Sequence, residues 1–413
     1  MSSVSEPATR DKSGRLLLWL LCAMYCLFYV DRVNIATAAS SIQADLGLTN
    51  TQLGLVFSAF AYPYAFFQIF GGWIGDRFGP RRTLIACGLI VAATTMLTGL
   101  AGGLGSLFAV RMALGFGEGA AFPTATRAMV SGLPPERWGY AQGITHSAAR
   151  LGNALTPPLI SALILALSWR ASFAIVGALS LGWVLAWTIL FTPGNTEAAA
   201  PVRIAVATPW RALAARILPV TAVDFCYGWM LWLFLNWLPS FFQNEYHLDL
   251  KTSAVFSAGV FLAGVVGDTA GGVISDRILN RTGSRQKARA WVICGALLGA
   301  FVFMIPLLFV RDVTQAAISL GLAFFALELV VAPIWSVPMD IAPTHAGKAS
   351  GLMNLGFGIA GIISPLAVGG IIDMTGNRTI PFIASMLVLL VGAALALRMQ
   401  PDRPLALPAW GNG

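Results

Sequence analysis

The chain has 413 residues, of which 57% are hydrophobic and 11% are charged, and its mean hydropathy is +0.75. A soluble domain carries about 25% charged residues, so this composition excludes an ordinary soluble protein and predicts a polytopic helical membrane protein. The net charge of +8 does not indicate a nucleic-acid partner, because the basic residues lie mainly between apolar segments. The five cysteines lie inside apolar segments, without the spacing of a disulfide framework or a metal cluster.

Apolar segments long enough to cross a bilayer, separated by polar breaks, predict twelve transmembrane helices. The predicted helices cover residues 16–38, 53–75, 83–101, 105–130, 138–165, 171–192, 216–242, 252–275, 289–311, 313–338, 347–373 and 380–398. The polar residues 1–15 lead directly into the long first segment without a cleavage site of small residues, so we predict no cleaved signal peptide. The longest break, from Thr192 to Arg216, divides the chain into six helices and six helices.

The basic residues predict the orientation of these helices. If the N-terminus is cytoplasmic, 19 of the 26 lysines and arginines lie in cytoplasmic segments and four lie in external ones. Cytoplasmic loops of membrane proteins carry such an excess, so both termini are expected in the cytoplasm. The remaining three, Arg32, Arg111 and Arg150, fall inside apolar segments.

The first apolar segment carries two full charges in its second half. Asp31 and Arg32 lie there, and Tyr25, Tyr29 and Arg32 share one helix face because they are spaced i, i+4 and i+7. Charged side chains are costly in hydrocarbon and persist where they face a partner or a water-filled path. We therefore predict that this face lines a polar cavity. The alternative is that Asp31 and Arg32 mark the aqueous end of the helix.

The fourth segment places Arg111, Gly115 and Glu118 on one face. Arg111 and Glu118 are seven residues apart, or about 10 Å along a helix, and the glycine between them predicts open space. Desolvation favours a neutral carboxyl and a nearby arginine favours a charged one, a competition that suits a proton carrier. Asp31 and Glu118 are therefore candidate proton carriers, with Arg32 and Arg111 as cations for them or for an anionic substrate. The alternative is a structural ion-pair network between the two helices.

A short polar motif follows the second segment and recurs after the eighth. Its first copy contains Gly72, Asp76, Arg77, Gly79, Arg81 and Arg82. Asp276 and Arg277 repeat the central pair 200 residues later. An aspartate beside basic residues at helix ends forms charge-assisted contacts that hold neighbouring helices in one conformation. An ordinary cytoplasmic loop of basic residues is the alternative.

This motif, its repeat and the division into six and six helices resemble the major facilitator superfamily over the whole chain. The resemblance implies an all-α membrane protein with twelve transmembrane helices in two pseudo-symmetric six-helix bundles and a substrate site between them. The predicted organisation is a cytoplasmic tail over 1–15, bundles over 16–192 and 216–398, a cytoplasmic linker over 193–215 and a cytoplasmic tail over 399–413.

Residues 29–34, 60–72 and 111–118 together resemble the anion:cation symporter branch of that superfamily. This branch includes bacterial D-galactonate and hexuronate transporters, with vesicular glutamate transporters and sialin as relatives. The resemblance implies that Asp31 and Glu118 carry protons and that Arg111 belongs to the coupling network. It implies substrate contacts for Tyr29, Arg32, Tyr64, Trp335, Ser336 and Asn354, with Gln68 as a second-tier candidate.

The fifth segment departs from the galactonate type, whose Asn-Ser-Ala-Gln run is replaced by a run from His146 to Ala149, followed by Arg150. An arginine halfway along a helix can bind a second carboxylate, a sulfonate or a phosphate. His146, one turn earlier, is a candidate for the same substrate cavity. The alternatives are that Arg150 pairs with an acid on another helix and that His146 is a hydrogen-bonded packing residue.

The C-terminal half contains further acids inside apolar segments. Asp268 is expected to belong to the repeated motif near the cytoplasmic end of its helix. Glu328, near the middle of the tenth segment, is the next candidate for a coupling acid. Asp224 receives no role from the sequence.

These features predict a secondary active transporter of the bacterial inner membrane rather than an enzyme. Asp31 and Glu118 would take up protons, which frees Arg32 to bind a small organic anion before the carrier opens inward. The expected substrate is a sugar acid or related hydroxycarboxylate, and Arg150 favours a dianion such as a dicarboxylate. Protons as coupling ions, no cofactor, no metal and a monomer in the lipid bilayer are expected. The alternatives are an anion or phosphate-ester exchanger without proton coupling, a proton-driven exporter and a non-transporting receptor.

Overall fold

The computed structural model describes residues 6–134, 137–191 and 208–405, and it describes only the backbone of residues 6–12, 68, 69, 71–73, 76, 138, 139 and 344. The described residues form α-helices joined by short turns, and none of them lies in a strand. The helices are α1 (Glu6–Thr37), α2 (Ala39–Leu46), α3 (Asn50–Phe78), α4 (Pro80–Thr98), α5 (Leu104–Gly132), α6 (Trp138–Ala166), α7 (Trp169–Leu190), α8 (Trp210–Glu245), α9 (Leu250–Thr282), α10 (Val292–Met304), α11 (Val313–Glu328), α12 (Val331–Ile341), α13 (Ala346–Thr375) and α14 (Thr379–Ala396).

The helices have the lengths and apolar character that membrane spans require. Among the described residues, ten helical segments are long and apolar enough to cross a bilayer. The helices α3 and α5 have 29 residues each, so at about 43 Å they also have sufficient length. The predicted all-helical membrane protein is therefore confirmed, and the number of twelve spans stays a prediction.

The polar segments that were predicted as tails and linker are partly helical. Residues 6–15 belong to α1, and residues 210–215 form the first turns of α8. The rest of the predicted linker, over residues 193–207, and the last residues of the chain, 406–413, lie outside the described residues. The short helix α2 also lies in a region predicted as a polar break, and it ends at Gly47, whose φ of 64° suits a glycine.

The tenth predicted helix is interrupted near its middle. α11 ends at Glu328 and α12 begins at Val331. Pro333 explains the break, because a proline has no N–H to donate to the carbonyl four residues earlier, which is that of Leu329. The ninth predicted helix is also irregular: a π-helical turn at Gln286–Trp291 precedes α10, and a 3-10 turn at Ile305–Leu308 follows it.

The chain divides into two compact units, each composed of several segments. Unit 1 contains Met1–Arg203, Trp232–Leu262 and Gly361–Pro381. Unit 2 contains Ile204–Leu231, Ala263–Ala360 and Phe382–Gly413. The predicted division into an N-terminal and a C-terminal bundle of six helices each stays a prediction.

Close helix packing in unit 1 depends on glycines. A Cβ atom at Gly115 of α5 would collide with the carbonyl oxygen of Phe60 in α3. A Cβ atom at Gly152 of α6 would likewise collide with the carbonyl oxygen of Cys26 in α1. Small residues allow helix backbones to approach in this way. The expectation of open space at Gly115 is therefore wrong, because α3 occupies that space.

Glycines also allow close helix packing in unit 2, between α9 and α11. A Cβ atom at Gly264 would collide with the ring of Phe324, and one at Gly271 would collide with the carbonyl oxygen of Leu329. The carbonyl of Leu329 is the one that receives no helical hydrogen bond, because Pro333 has no N–H to donate to it. The break between α11 and α12 therefore packs directly on the backbone of α9.

Candidate functional site

The central pair of the site in unit 1 joins α1 to α5. The Nη2 and Nε atoms of Arg32 both donate to Oε2 of Glu118, at 2.6 and 3.2 Å. Arg32 is 2% exposed and Glu118 is 0% exposed. A buried ion pair of this kind is stable only while both partners stay paired, because either charge alone is strongly penalised in a low-dielectric interior.

Five aromatic rings surround the guanidinium of Arg32. Its Cζ atom lies 4.6 Å from the ring centroid of Tyr29, 4.7 Å from that of Tyr64 and 4.9 Å from that of Phe60. Phe122 and Trp232 follow at 5.7 and 6.0 Å. Cation–π contacts of desolvated arginines contribute to holding the charge in place. The rings thus compensate in part for the water that the guanidinium has lost.

The three residues of the predicted polar face of α1 share one neighbour, Phe122 of α5, and the polar cavity predicted there stays a prediction. The rings of Tyr25 and Tyr29 lie 4.9 and 6.0 Å from the ring of Phe122, which also faces Arg32. The three residues spaced i, i+4 and i+7 therefore converge on one side chain of α5. Phe122 itself was not singled out by the sequence, since one more phenylalanine in an apolar helix carries no signal.

Asp31 has a different environment from that of its neighbour Arg32. Its Oδ1 accepts a hydrogen bond from the hydroxyl of Thr95 at 2.8 Å, and its Oδ2 accepts one from the hydroxyl of Ser180 at 2.7 Å. The side chain is fully buried. Thr95 lies in α4 and Ser180 in α7, so the carboxyl group connects α1 to two further helices.

Among the described residues, Arg111 contacts the backbone of α1 and forms no ion pair with a carboxylate. Its guanidinium donates to the carbonyl oxygens of Asp31 and Arg32, at 3.4 and 3.3 Å. Its Cζ atom also lies 5.3 Å from the ring centroid of Phe60. The residue is 2% exposed. Its positive charge therefore lies near Asp31 and Glu118, and within the described part of the chain it forms an ion pair with neither.

The fifth predicted segment is helix α6, and its candidate His146 contacts the same region. The ring of His146 lies 5.7 Å from the ring of Tyr25. Arg150, one turn further along α6, is 6% exposed. Asn153, which the sequence analysis did not single out, is buried three residues beyond Arg150.

The remaining predicted substrate contacts belong to unit 2. Trp335 is 40% exposed, and the hydroxyl of Ser336 donates to the carbonyl oxygen of Ala332 in its own helix. Asn354 is half-buried on α13. Their roles in substrate binding stay predictions.

The acids predicted as second-tier residues are both placed in unit 2. Glu328 is fully buried at the last residue of α11, next to Gly264 and Gly267 of α9. Asp268 lies 14 residues before the end of α9 and is half-buried. The helix therefore continues well beyond Asp268, past the Asp276 and Arg277 of the motif.

The first copy of the polar motif spans the turn between α3 and α4. Gly79 has a φ of 79° there, a conformation that favours glycine. The Nη2 atom of Arg81 donates to the carbonyl oxygen of Thr188 at 2.7 Å, which connects α4 to α7, while Arg77 and Arg82 are exposed. The side chains of Gln68, Gly72 and Asp76 lie outside the described residues.

The second copy of the motif is part of a polar cluster in unit 2. Arg289 donates to the hydroxyl of Ser275, lies 3.4 Å from Oδ1 of Asp276 and lies 3.4 Å from Oδ2 of Asp340. Arg285 pairs with the other oxygen of Asp340 at 3.3 Å. Arg277 is exposed. The predicted charge-assisted contact between helices is thus formed by Asp276, with Arg289 instead of its neighbour Arg277.

The sequence matches the model of a transporter family over most of its length. That model, described as the Major Facilitator Superfamily, matches residues 21–365. The chain belongs to the Major Facilitator Superfamily. Membership confirms the predicted family, and it confirms a membrane transporter rather than an enzyme.

Relatives of this facilitator include named transporters of organic acids. It is 47% identical over 412 residues to a probable sulfoacetate transporter of Cupriavidus necator, with 95% of each chain covered. It is 30% identical to a D-galactonate transporter of Escherichia coli, with 88% of this chain and 91% of the relative covered. A hexuronate transporter of Bacillus subtilis is 29% identical, with 89% and 90% covered.

Solved structures agree on the fold of this facilitator. A bacterial homologue of the human lysosomal transporter Spinster superposes with a TM-score of 0.82 at 18% identity, covering 98% of this chain and all of that one. A D-xylose–proton symporter gives a TM-score of 0.74 at 14% identity, covering 94% and 98%. At these identities the likeness establishes the major facilitator fold and nothing further.

Proposed function

We propose that this facilitator imports a small organic anion together with protons. The observation that carries the proposal is the buried pair of Arg32 and Glu118, enclosed by aromatic rings. A carboxylate substrate can replace Glu118 as the partner of Arg32 only if Glu118 becomes neutral, since two carboxylates on one guanidinium repel each other. Proton uptake and anion binding are thereby coupled, and the coupling is reciprocal.

The geometry of the pair allows the proton to arrive before the pair separates. Both donors of Arg32 bind Oε2 of Glu118, whereas Oε1 has no hydrogen-bond partner among the described residues. A proton on Oε1 leaves Oε2 able to accept from the guanidinium. The neutral acid then holds Arg32 less strongly than the carboxylate did, because hydrogen bonds between charged partners are roughly twice as strong as neutral ones. A substrate carboxylate would then replace Glu118 as the partner of Arg32.

Asp31 is the second proposed proton site. Its carboxyl oxygens accept hydrogen bonds from Thr95 and Ser180 and not from the guanidinium of Arg32, which binds Glu118. We assign it to coupling rather than to substrate contact for that reason. Tyr29 and Tyr64, whose rings lie against the guanidinium of Arg32, would contact the bound anion from two sides.

The substrate class proposed from the residues and the relatives is a short organic dianion. Sulfoacetate, named for the relative that is 47% identical, carries one carboxylate and one sulfonate. Two buried arginines of unit 1, Arg32 and Arg150, could each take one of these groups. This substrate differs from the sugar acid that the resemblance to the galactonate type favoured. We prefer it because of Arg150, which could bind the second anionic group.

The two rival functions make different predictions. A proton-driven exporter of apolar compounds does not require several buried arginines, so Arg32, Arg111 and Arg150 disfavour it. An anion exchanger requires cations but no proton carriers, so Asp31 and Glu118 disfavour it. The proposed carrier is a monomer in the inner membrane of a bacterium, with both termini in the cytoplasm, as the distribution of basic residues favours.

Uptake by proteoliposomes tests this proposal. Labelled sulfoacetate is offered at external pH 5.5 to vesicles of internal pH 7.5, with and without a protonophore. Accumulation that requires the pH gradient is expected, and it should be lost in Arg32→Ala and kept in Arg170→Ala, an exposed arginine paired with Asp45. Uptake that requires an internal anion and ignores the gradient would establish the exchanger instead. Efflux of apolar cations without uptake of any anion would establish the exporter.

A further inference from the structure

We infer that Asn153 of α6 completes, with Arg150, a subsite for the second anionic group and so determines the preference for dianions over monoanions. This inference rests on the proposed function, because it concerns the substrate of the same site. It adds a residue that neither the motifs nor the named relatives indicate.

The first observation is the state of the Asn153 side chain. It is 2% exposed, and within the described residues neither its Nδ2 nor its Oδ1 has a hydrogen-bond partner. A buried polar group without a partner is energetically unfavourable, so native structures contain few of them. Ligand binding is a physical reason for retaining such a group, because a ligand supplies the missing partner.

The second observation is the face of α6 on which Asn153 lies. His146, Arg150 and Asn153 are spaced i, i+4 and i+7, so they share one face. The adjacent face packs closely against α1 through Gly152, at the carbonyl oxygen of Cys26. Leu151 lies on the other side of the helix and is 44% exposed. Asn153 therefore lies neither at the Gly152–Cys26 contact with α1 nor on the exposed side of α6.

The third observation connects this face with Arg32. The ring of Tyr25 contacts the rings of both His146 and Phe122, and Phe122 faces Arg32. Gly152 lies beside Cys26, and Arg32 is six residues further along α1, or about 9 Å. Arginine side chains are long enough to bridge part of this distance. The distance suits a molecule whose two anionic groups are separated by one or two carbons.

The chemistry of an amide beside an arginine fits a sulfonate or a carboxylate. The guanidinium of Arg150 can donate two parallel hydrogen bonds to two oxygens of the anion. The Nδ2 atom of Asn153 can donate to a further oxygen, and its Oδ1 can accept from a guanidinium N–H. A sulfonate has three oxygens and gains most from this third donor. A monoanion bound at Arg32 has no second anionic group that Arg150 and Asn153 could bind.

Binding measurements on single variants test the inference. Dissociation constants are measured by calorimetry at pH 5.5 for sulfoacetate and malonate, which carry two anionic groups, and for glycolate, which carries one. In Asn153→Leu the affinity for both dianions should fall at least tenfold, while that for glycolate should stay within twofold. Asn153→Asp, which keeps the size of the side chain, should weaken dianion binding further through repulsion. Arg150→Gln should show the same selectivity as Asn153→Leu.

Thr156→Val provides the matched control on the same helix. Thr156 is also fully buried, but its hydroxyl donates to the carbonyl oxygen of Gly152 within α6, so its replacement should leave all three affinities unchanged. Unaltered dianion affinity in Asn153→Leu, or equal loss for glycolate and the dianions, would overturn the inference. If the parent chain binds no anion at all, the proposed function fails instead, and the two failures are thus distinguished. Thermal unfolding without ligand identifies a variant that does not fold, in which case Asn153→Asp decides.

Discussion

Each unit contains arginines paired with carboxylates, and the Arg32–Glu118 pair of unit 1 lies deeper than the pairs around Arg289 in unit 2. In unit 1, Arg32 and Glu118 are 2% and 0% exposed. In unit 2, Arg289 and Asp276 are 10% and 70% exposed, and Arg285 is 44% exposed. An exposed pair exchanges readily with water and contributes little, whereas a buried pair leaves a costly charge behind when it breaks. Depth therefore separates a charge pair that can act as a switch from one that ties helices together.

The partners of each arginine sharpen this contrast. Arg289 is shared among Ser275, Asp276 and Asp340, which lie in two different helices, so the loss of one partner leaves others. Arg32 has a single carboxylate partner among the described residues and is otherwise enclosed by rings. The ion pair of Arg32 can therefore be exchanged only when Glu118 takes up a proton or another anion binds. This difference is the physical basis for placing the proposed coupling event in unit 1.

The largest expected effect follows from replacing Arg32. Arg32→Ala leaves Glu118 buried without its cation and removes the substrate partner, so labelled sulfoacetate uptake should fall at least 100-fold. Glu118→Gln keeps the size of the side chain, and it should retain anion binding while losing the dependence of binding on pH. Uptake and calorimetry at pH 5.5 and 7.5 measure both. Wild-type uptake in Arg32→Ala would show that the deep pair is structural, like that of unit 2.

An intermediate effect is expected in unit 2. Arg289→Ala should lower the midpoint of thermal unfolding by a few degrees, because it removes contacts worth about 1–2 kcal/mol. The dissociation constant for sulfoacetate should not change. Arg277→Ala, which removes the exposed arginine next to Asp276, is the matched control and should leave the midpoint unchanged. A loss of anion affinity in Arg289→Ala without a change in unfolding would contradict the assignment of this cluster to helix packing.

The smallest effect concerns the hydroxyl groups at Asp31. Thr95 and Ser180 each donate a hydrogen bond to its carboxylate, and such bonds stabilise the charged form. In Thr95→Val or Ser180→Ala the protonated acid is favoured, so proton-dependent uptake should persist to higher pH, by about one unit. Thr94→Val is the control, because the hydroxyl of Thr94 donates to carbonyl groups of its own helix. A pH profile that does not move would exclude Asp31 from the coupling.

The sequence was sufficient to find the charged residues of the site but not their partners. Arg32, Arg111 and Glu118 stand out in apolar segments, because charges there are rare and expensive. That Arg32 would pair with Glu118, while Arg111 would contact carbonyl oxygens, depends on side-chain directions across the two helices α1 and α5. No spacing within a single helix contains that information.

Other features of the structure were not predicted from the sequence, for a different reason. Serine and threonine occur throughout transmembrane helices and usually donate to their own backbone, so Thr95 and Ser180 carried no signal. The break between α11 and α12 could have been predicted from Pro333, since a proline disrupts the preceding turn. Asn153 could have been noticed as an amide within an apolar segment, but only its burial without a partner gives it weight.

The ring of Trp232, the most distant of the five around Arg32, gives the carrier an internal optical reporter. Indole emission responds to a charge held over the ring, so its intensity should differ between Arg32 paired with Glu118 and Arg32 paired with a substrate. The chain contains 13 tryptophans, and the difference spectrum between the parent chain and Trp232→Phe isolates this one signal. Stopped-flow recording of that signal would then time the exchange of partners at the guanidinium, a step that uptake measurements average over whole cycles.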